Sequence, residues 1–231
     1  MNPSKTARVA GFLYLITAPL AIFGIMYVPS TLIVPGDVAT TTNNIMASES
    51  LFRLGIVSAL IYQTVFILVV LVLYKLLKPV NKNHAVLMVI FILVAVPIAM
   101  LDELNRFAVL ILLSGADYLA AFTADQLQAL VPLFFDLHEY GINIATIFWG
   151  LWLFPMGYLV FKSGFLPRIL GILLIIGCFG YLIDVFTFFV FPNFDVKISG
   201  FTFWGEILFP LWLLIKGVNV EQWEKRALES A

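Results

Sequence analysis

Charge is scarce in this sequence: Asp, Glu, Lys and Arg make up 12% of its 231 residues, about half the share of an average soluble domain. With 62% of residues apolar and a mean hydropathy of +1.03, an ordinary water-facing surface cannot be assembled, which excludes a free-standing soluble domain and a disordered chain alike. A single cysteine, Cys178, excludes an intramolecular disulfide and says nothing of redox compartment. The net charge of -1 offers no basic footprint, so nucleic acid is excluded as the main partner. The alternation of a barrel strand is missing, and so are repeats and low-complexity tracts. Nucleotide motifs fail as well, since Lys162-Ser163 follows Phe161 where a phosphate-binding loop requires glycine. No cofactor is therefore expected.

What the chain has instead is long apolar runs, and lipid is the solvent that accepts them. Six are long enough to cross a hydrocarbon core of about 30 Å: roughly 9–28, 51–74, 85–113, 140–161, 169–190 and 200–215. The first exceeds a signal-peptide core and lacks a cleavage site, so it reads as a retained span. Backbone groups in lipid must be satisfied within each segment, which predicts an all-α integral membrane bundle of six helices. Residues 1–231 read as one membrane domain, with 217–231 as a short solvated cytoplasmic tail.

Of the 13 Lys and Arg, all but Arg53, Arg106 and Lys197 fall on the side that holds the N-terminus. The positive-inside rule then predicts a multi-pass protein of the bacterial cytoplasmic membrane with both termini cytoplasmic. Breakers fit the loops. Val34-Pro35-Gly36-Asp37 is a turn with an N-cap, Thr123-x-x-Gln126 a capping box, and Gly164-Phe165-Leu166-Pro167 a tight inner turn. Short extra helices are expected in the outer loops.

Function is sought among ionisable residues inside the spans. Helix rise places Glu206 about 15 Å above Lys216, Asp184 about 24 Å above Arg168 and Asp102 about 27 Å above Ala85. Spans 2 to 6 are thus expected to bring polar groups to the outer half of the membrane, where lone charges are costly and face inward. Asp102, Asn105 and Arg106 share a helix face; Asp136, Glu139, Tyr140 and Asn143 share another, with His138 pointing roughly the opposite way. Tyr181 and Asp184 lie three apart. The predicted outward-facing polar cavity comprises Arg53, Asp102, Asn105, Arg106, Asp136, Glu139, Asn143, Tyr181, Asp184 and Glu206, and Arg53 is expected to pair with Asp102, Asp136 or Asp184.

Acid exceeds base in this set, which favours binding or transport of a small polar molecule or lipid headgroup, with the bilayer as the other partner. A membrane-embedded metal-dependent hydrolase is the alternative, with His138, Asp136 and Glu139 as ligands of a metal that polarises water. A purely structural or partner subunit is the third reading. His138-Glu139 opens like a zinc-protease helix, but Ile142 stands where a second histidine is required. Oligomeric state is not legible.

Several phrases together carry a resemblance: Val34-Pro35-Gly36-Asp37, Ala47 to Gly55, Lys78 to Asn83, Leu137 to Gly141, Gly157-Tyr158 and Ser163 to Gly171. From about Lys5 into the sixth span the chain resembles the bacterial membrane proteins grouped as the domain of unknown function 4386 family. The resemblance implies a multi-spanning membrane protein and assigns no activity. Arg53, His138 and the turn at Ser163 lie within the matching phrases, and Glu206 lies in none.

Overall fold

The computed structural model describes residues 2–191 and 196–229. Long apolar runs become long helices: α1 (Pro3–Leu32), α3 (Glu49–Leu77), α4 (Lys82–Leu112), α5 (Ala124–Ser163) and α6 (Arg168–Val190) are each long and apolar enough to cross a membrane. Between α1 and α3 lies the short α2 (Val38–Ala47), and α7 (Ser199–Ile215) and α8 (Val220–Glu229) end the chain. If the bent pair α7 and α8 is counted as one span, six helices qualify. No strand occurs among the described residues, and the molecule is a helical membrane bundle. Leu54, Leu101, Leu104, Ile169 and Phe186 are all exposed, an apolar exterior that only lipid covers without penalty.

Helix ends follow local chemistry. Asp37 accepts from the Thr40 amide at 2.9 Å and from the Thr40 hydroxyl at 2.7 Å, opening α2; these bonds hold its carboxyl below the usual range. The expected capping box is formed: Thr123 N donates to Gln126 Oε1 and Gln126 N to Thr123 Oγ1. It starts α5 well before residue 140, so the fourth span is longer than its apolar core. Asn81 caps α4 by accepting from His84 N at 3.0 Å. Ser163 closes the turn before α6, accepting from Leu166 N at 3.1 Å.

Two further features depart from a row of regular helices. Downstream of Pro19, α1 widens between Ile22 and Tyr27 into i→i+5 turns, a form that appears mostly in single turns and often at functional sites. The tail is not simply solvated: residues 220–229 form α8, turned 103° from α7. Trp223 Nε1 donates to Leu76 O at 2.8 Å and Arg226 to Lys162 O at 3.1 Å. The helix returns because those two donors satisfy carbonyls at the ends of α3 and α5, which lack intrahelical partners. Residues 192–195, between the predicted fifth and sixth spans, and residues 230–231 of the tail lie outside the described residues.

The chain divides into two compact units: Met1–Thr17, Val65–Val96 and Asn143–Ala231 form the first, Ala18–Thr64 and Pro97–Ile142 the second. In the first, Gly157 and Gly171 let α5 and α6 touch backbone to backbone; a Cβ on Gly157 would stand 2.6 Å from Gly171 O. In the same unit the Tyr14, Phe66 and Trp152 rings pack with centroids 5.1–5.9 Å apart. The second unit is built on Val28, Ile45, Phe52, Ile56, Val109 and Val131, with Phe135 edge-on to Phe52.

Candidate functional site

The second unit buries a network of charge. On α4, Asp102, Glu103 and Arg106 are 8%, 4% and 3% exposed. Arg106 Nη1 lies 3.3 Å from Glu103 Oε2 and 3.4 Å from Gly24 O, a carbonyl of the widened α1 turn, while its guanidinium stacks over Phe52 at 5.1 Å. Arg106 Nη2 is buried and has no hydrogen-bond partner among the described residues. Asn105 Nδ2 donates to Asp102 Oδ1 at 2.8 Å. The other oxygen, Oδ2, stands 2.6 Å from His138 Nδ1 on α5, a close polar contact off the line of a hydrogen bond. With 23% of its side chain exposed, His138 links the buried carboxylate to the surface of the unit.

Gly141 makes the approach possible. A methyl group there would overlap the Asp102 carboxylate. His138 and Gly141, three residues apart, form the face of α5 that meets α4.

This corrects the sequence-based expectation for α5. Asp136, Glu139 and Tyr140 are exposed, and His138, expected to point away, is the residue that meets Asp102. Arg53 is corrected too: it pairs with Glu49 one turn back, Nε to Oε1 at 2.6 Å, and both side chains are more than half exposed. Standing at the start of α3, Arg53 finds a local carboxylate and has no need to be drawn inward.

The remaining candidates lie in the first unit. Tyr14, which the sequence alone did not single out, donates from its hydroxyl to Glu206 Oε2 at 3.1 Å, and Tyr181 hydrogen-bonds the same carboxyl. Asp184 is buried and gives each oxygen to a backbone amide, accepting from Ile198 N at 2.6 Å and Ser199 N at 3.0 Å. It is the cap of α7 supplied from another helix. Asn143 is half-buried.

No group of three or more His, Cys, Asp or Glu residues that could hold a metal ion exists among the described residues. Of the proposed ligands, His138 turns to Asp102, whereas Asp136 and Glu139 are exposed on the other side of α5. Glu103, three residues before Arg106, is legible from helix spacing but stands outside the predicted cavity set; Gly24 is not legible, because a backbone carbonyl has no signature in a sequence.

Comparison with known proteins adds the family context. A family model described as "Domain of unknown function (DUF4386)" matches residues 9–217. An uncharacterized protein of Archaeoglobus fulgidus is 34% identical over 159 residues, covering 67% of this chain and 78% of that protein. No solved structure matches.

Proposed function

The chain belongs to the domain of unknown function 4386 family, and from that premise we propose that it binds a small polar molecule or lipid headgroup, and carries or senses it, at Asp102, Asn105, Arg106 and His138. The membrane we assign is the cytoplasmic one, with both termini inside, on the distribution of Lys and Arg. The observation that carries the reading is Arg106 Nη2, a buried cationic donor without an acceptor among the described residues. A buried unsatisfied donor costs about 1–3 kcal/mol, more when charged. A network serving stability alone would pair that group, whereas an acceptor oxygen on a ligand would complete it. Asp102 and His138 supply complementary acceptor and donor capacity beside it.

The test uses the purified full chain in detergent, melted with and without glycerol 3-phosphate, phosphoethanolamine, and small mono- and dicarboxylates. At least one should raise the melting temperature, and Arg106→Lys, which keeps the charge but loses the planar fork, should abolish the shift. If none moves the wild type while Arg106→Leu is markedly less stable than wild type, the cluster is a structural network and this reading falls.

A further inference from the structure

The C-terminal end of α3, in the first unit, carries a separate feature independent of the Arg106 cluster. There the α3–α4 turn and α8 enclose a cavity of about 580 Å³, half-open to the exterior, whose walls include Tyr74, Lys78, Asn81, Lys82, Trp223 and Ala227. Its volume is that of a small-molecule site. Neither Lys78 nor Lys82 pairs with a carboxylate among the described residues. Between them, Asn81 Oδ1 takes the His84 amide, leaving the amide of Lys82, itself a lining residue, as an open donor at the start of a 31-residue helix. The far wall is fixed in place by the Trp223 bond to Leu76 O.

We propose that this cavity binds a phosphate group, that of an anionic phospholipid, between Lys78, Lys82 and the first amide of α4. Two unpaired ammonium groups and a helix N-terminus around one cavity match a phosphate in charge and in donor geometry. Location selects the lipid as its source. The cavity lies where two apolar helices end, with Pro79 and Val80 beside the lysines and an indole ring as the facing wall, the arrangement of an interfacial anchor that meets both headgroup and acyl chain.

Native mass spectrometry of the full chain, exchanged into detergent with equimolar phosphatidylglycerol and phosphatidylcholine, tests this. Retained phosphatidylglycerol should fall by roughly tenfold or more in Lys78→Gln/Lys82→Gln, while Lys5→Gln/Arg8→Gln, altering another exposed basic pair, should leave it unchanged. Trp223→Ala, with both charges kept, should also lower retention. Unchanged retention there would mean diffuse charge attraction and would overturn a shaped site. Inorganic phosphate is the second probe: if millimolar phosphate stabilises the wild type but not the double variant, while phosphatidylglycerol retention is equal in both, the lipid source is overturned in favour of a free anion. Equal retention with no response to phosphate overturns the site altogether.

Discussion

Asp102 and Asp184 are both buried carboxylates on membrane-spanning helices, each in its own compact unit, and they are used in opposite ways. Asp184 gives both oxygens to backbone amides, Ile198 N and Ser199 N, so its charge is spent on holding α7 in place. Asp102 gives one oxygen to Asn105 and turns the other to His138, beside an Arg106 whose Nη2 has no acceptor among the described residues. The contrast teaches that burial on a spanning helix does not by itself separate a strut, such as Asp184, from a polar network with donor capacity left over. The partners do: backbone amides fix a chain reversal, whereas side chains of neighbouring helices form a network in which Arg106 Nη2 has no acceptor among the described residues.

The largest effect should come from breaking the charged network. Arg106→Gln leaves Glu103 buried without its partner and should cost on the order of 3–5 kcal/mol. In Glu103→Gln/Arg106→Gln most of that loss should return, as read by detergent-induced unfolding. If Arg106→Gln costs no more than a lost cap, the distinction between the two regions dissolves. Removing the strut comes next: Asp184→Ala should destabilise by about 1.5–3 kcal/mol through loss of a charge-assisted acceptor, and it should leave untouched any thermal shift that depends on Arg106. A ligand response lost in Asp184→Ala but not in Arg106→Lys would reverse the two roles.

Smaller effects sharpen the same point at exposed positions. Asp37 caps α2 from solvent as Asp184 caps α7 from the interior, and its carboxyl is held below the usual range by the Thr40 amide and hydroxyl. A depressed folded value means that its contribution is complete above the ordinary carboxylate pKa of about 4 and disappears as pH falls through the lowered value. The stability difference between wild type and Asp37→Ala should therefore be constant at neutral pH and close in acid; a gap that widens in acid would refute this cap. Least of all, Arg53→Ala removes an exposed pair one turn long and should cost no more than about 0.5 kcal/mol by the same unfolding measurement.

The amino-acid sequence by itself determined the helices and most of their ends. Hydrophobic length and the caps at Asp37 and Thr123–Gln126 act within one or two turns of the chain, so they are legible in one dimension. It also marked Asp102, Asn105 and Arg106 as neighbours, because residues three and four apart share a helix face whatever surrounds them. Tertiary structure alone decided which side of α5 would meet that face. The helical wheel separates His138 and Gly141 from Asp136, Glu139 and Asn143 correctly, but choosing the inner side by polarity selects the wrong one. The choice depends on where a missing side chain admits the Asp102 carboxylate, and that is a property of two helices in contact. The same holds for Asp184, whose acceptors' partners lie 14 and 15 residues onward across a chain reversal, and for Gly24, whose carbonyl reaches Arg106 across 82 residues. Such contacts are set by packing in three dimensions, where no local rule of spacing applies.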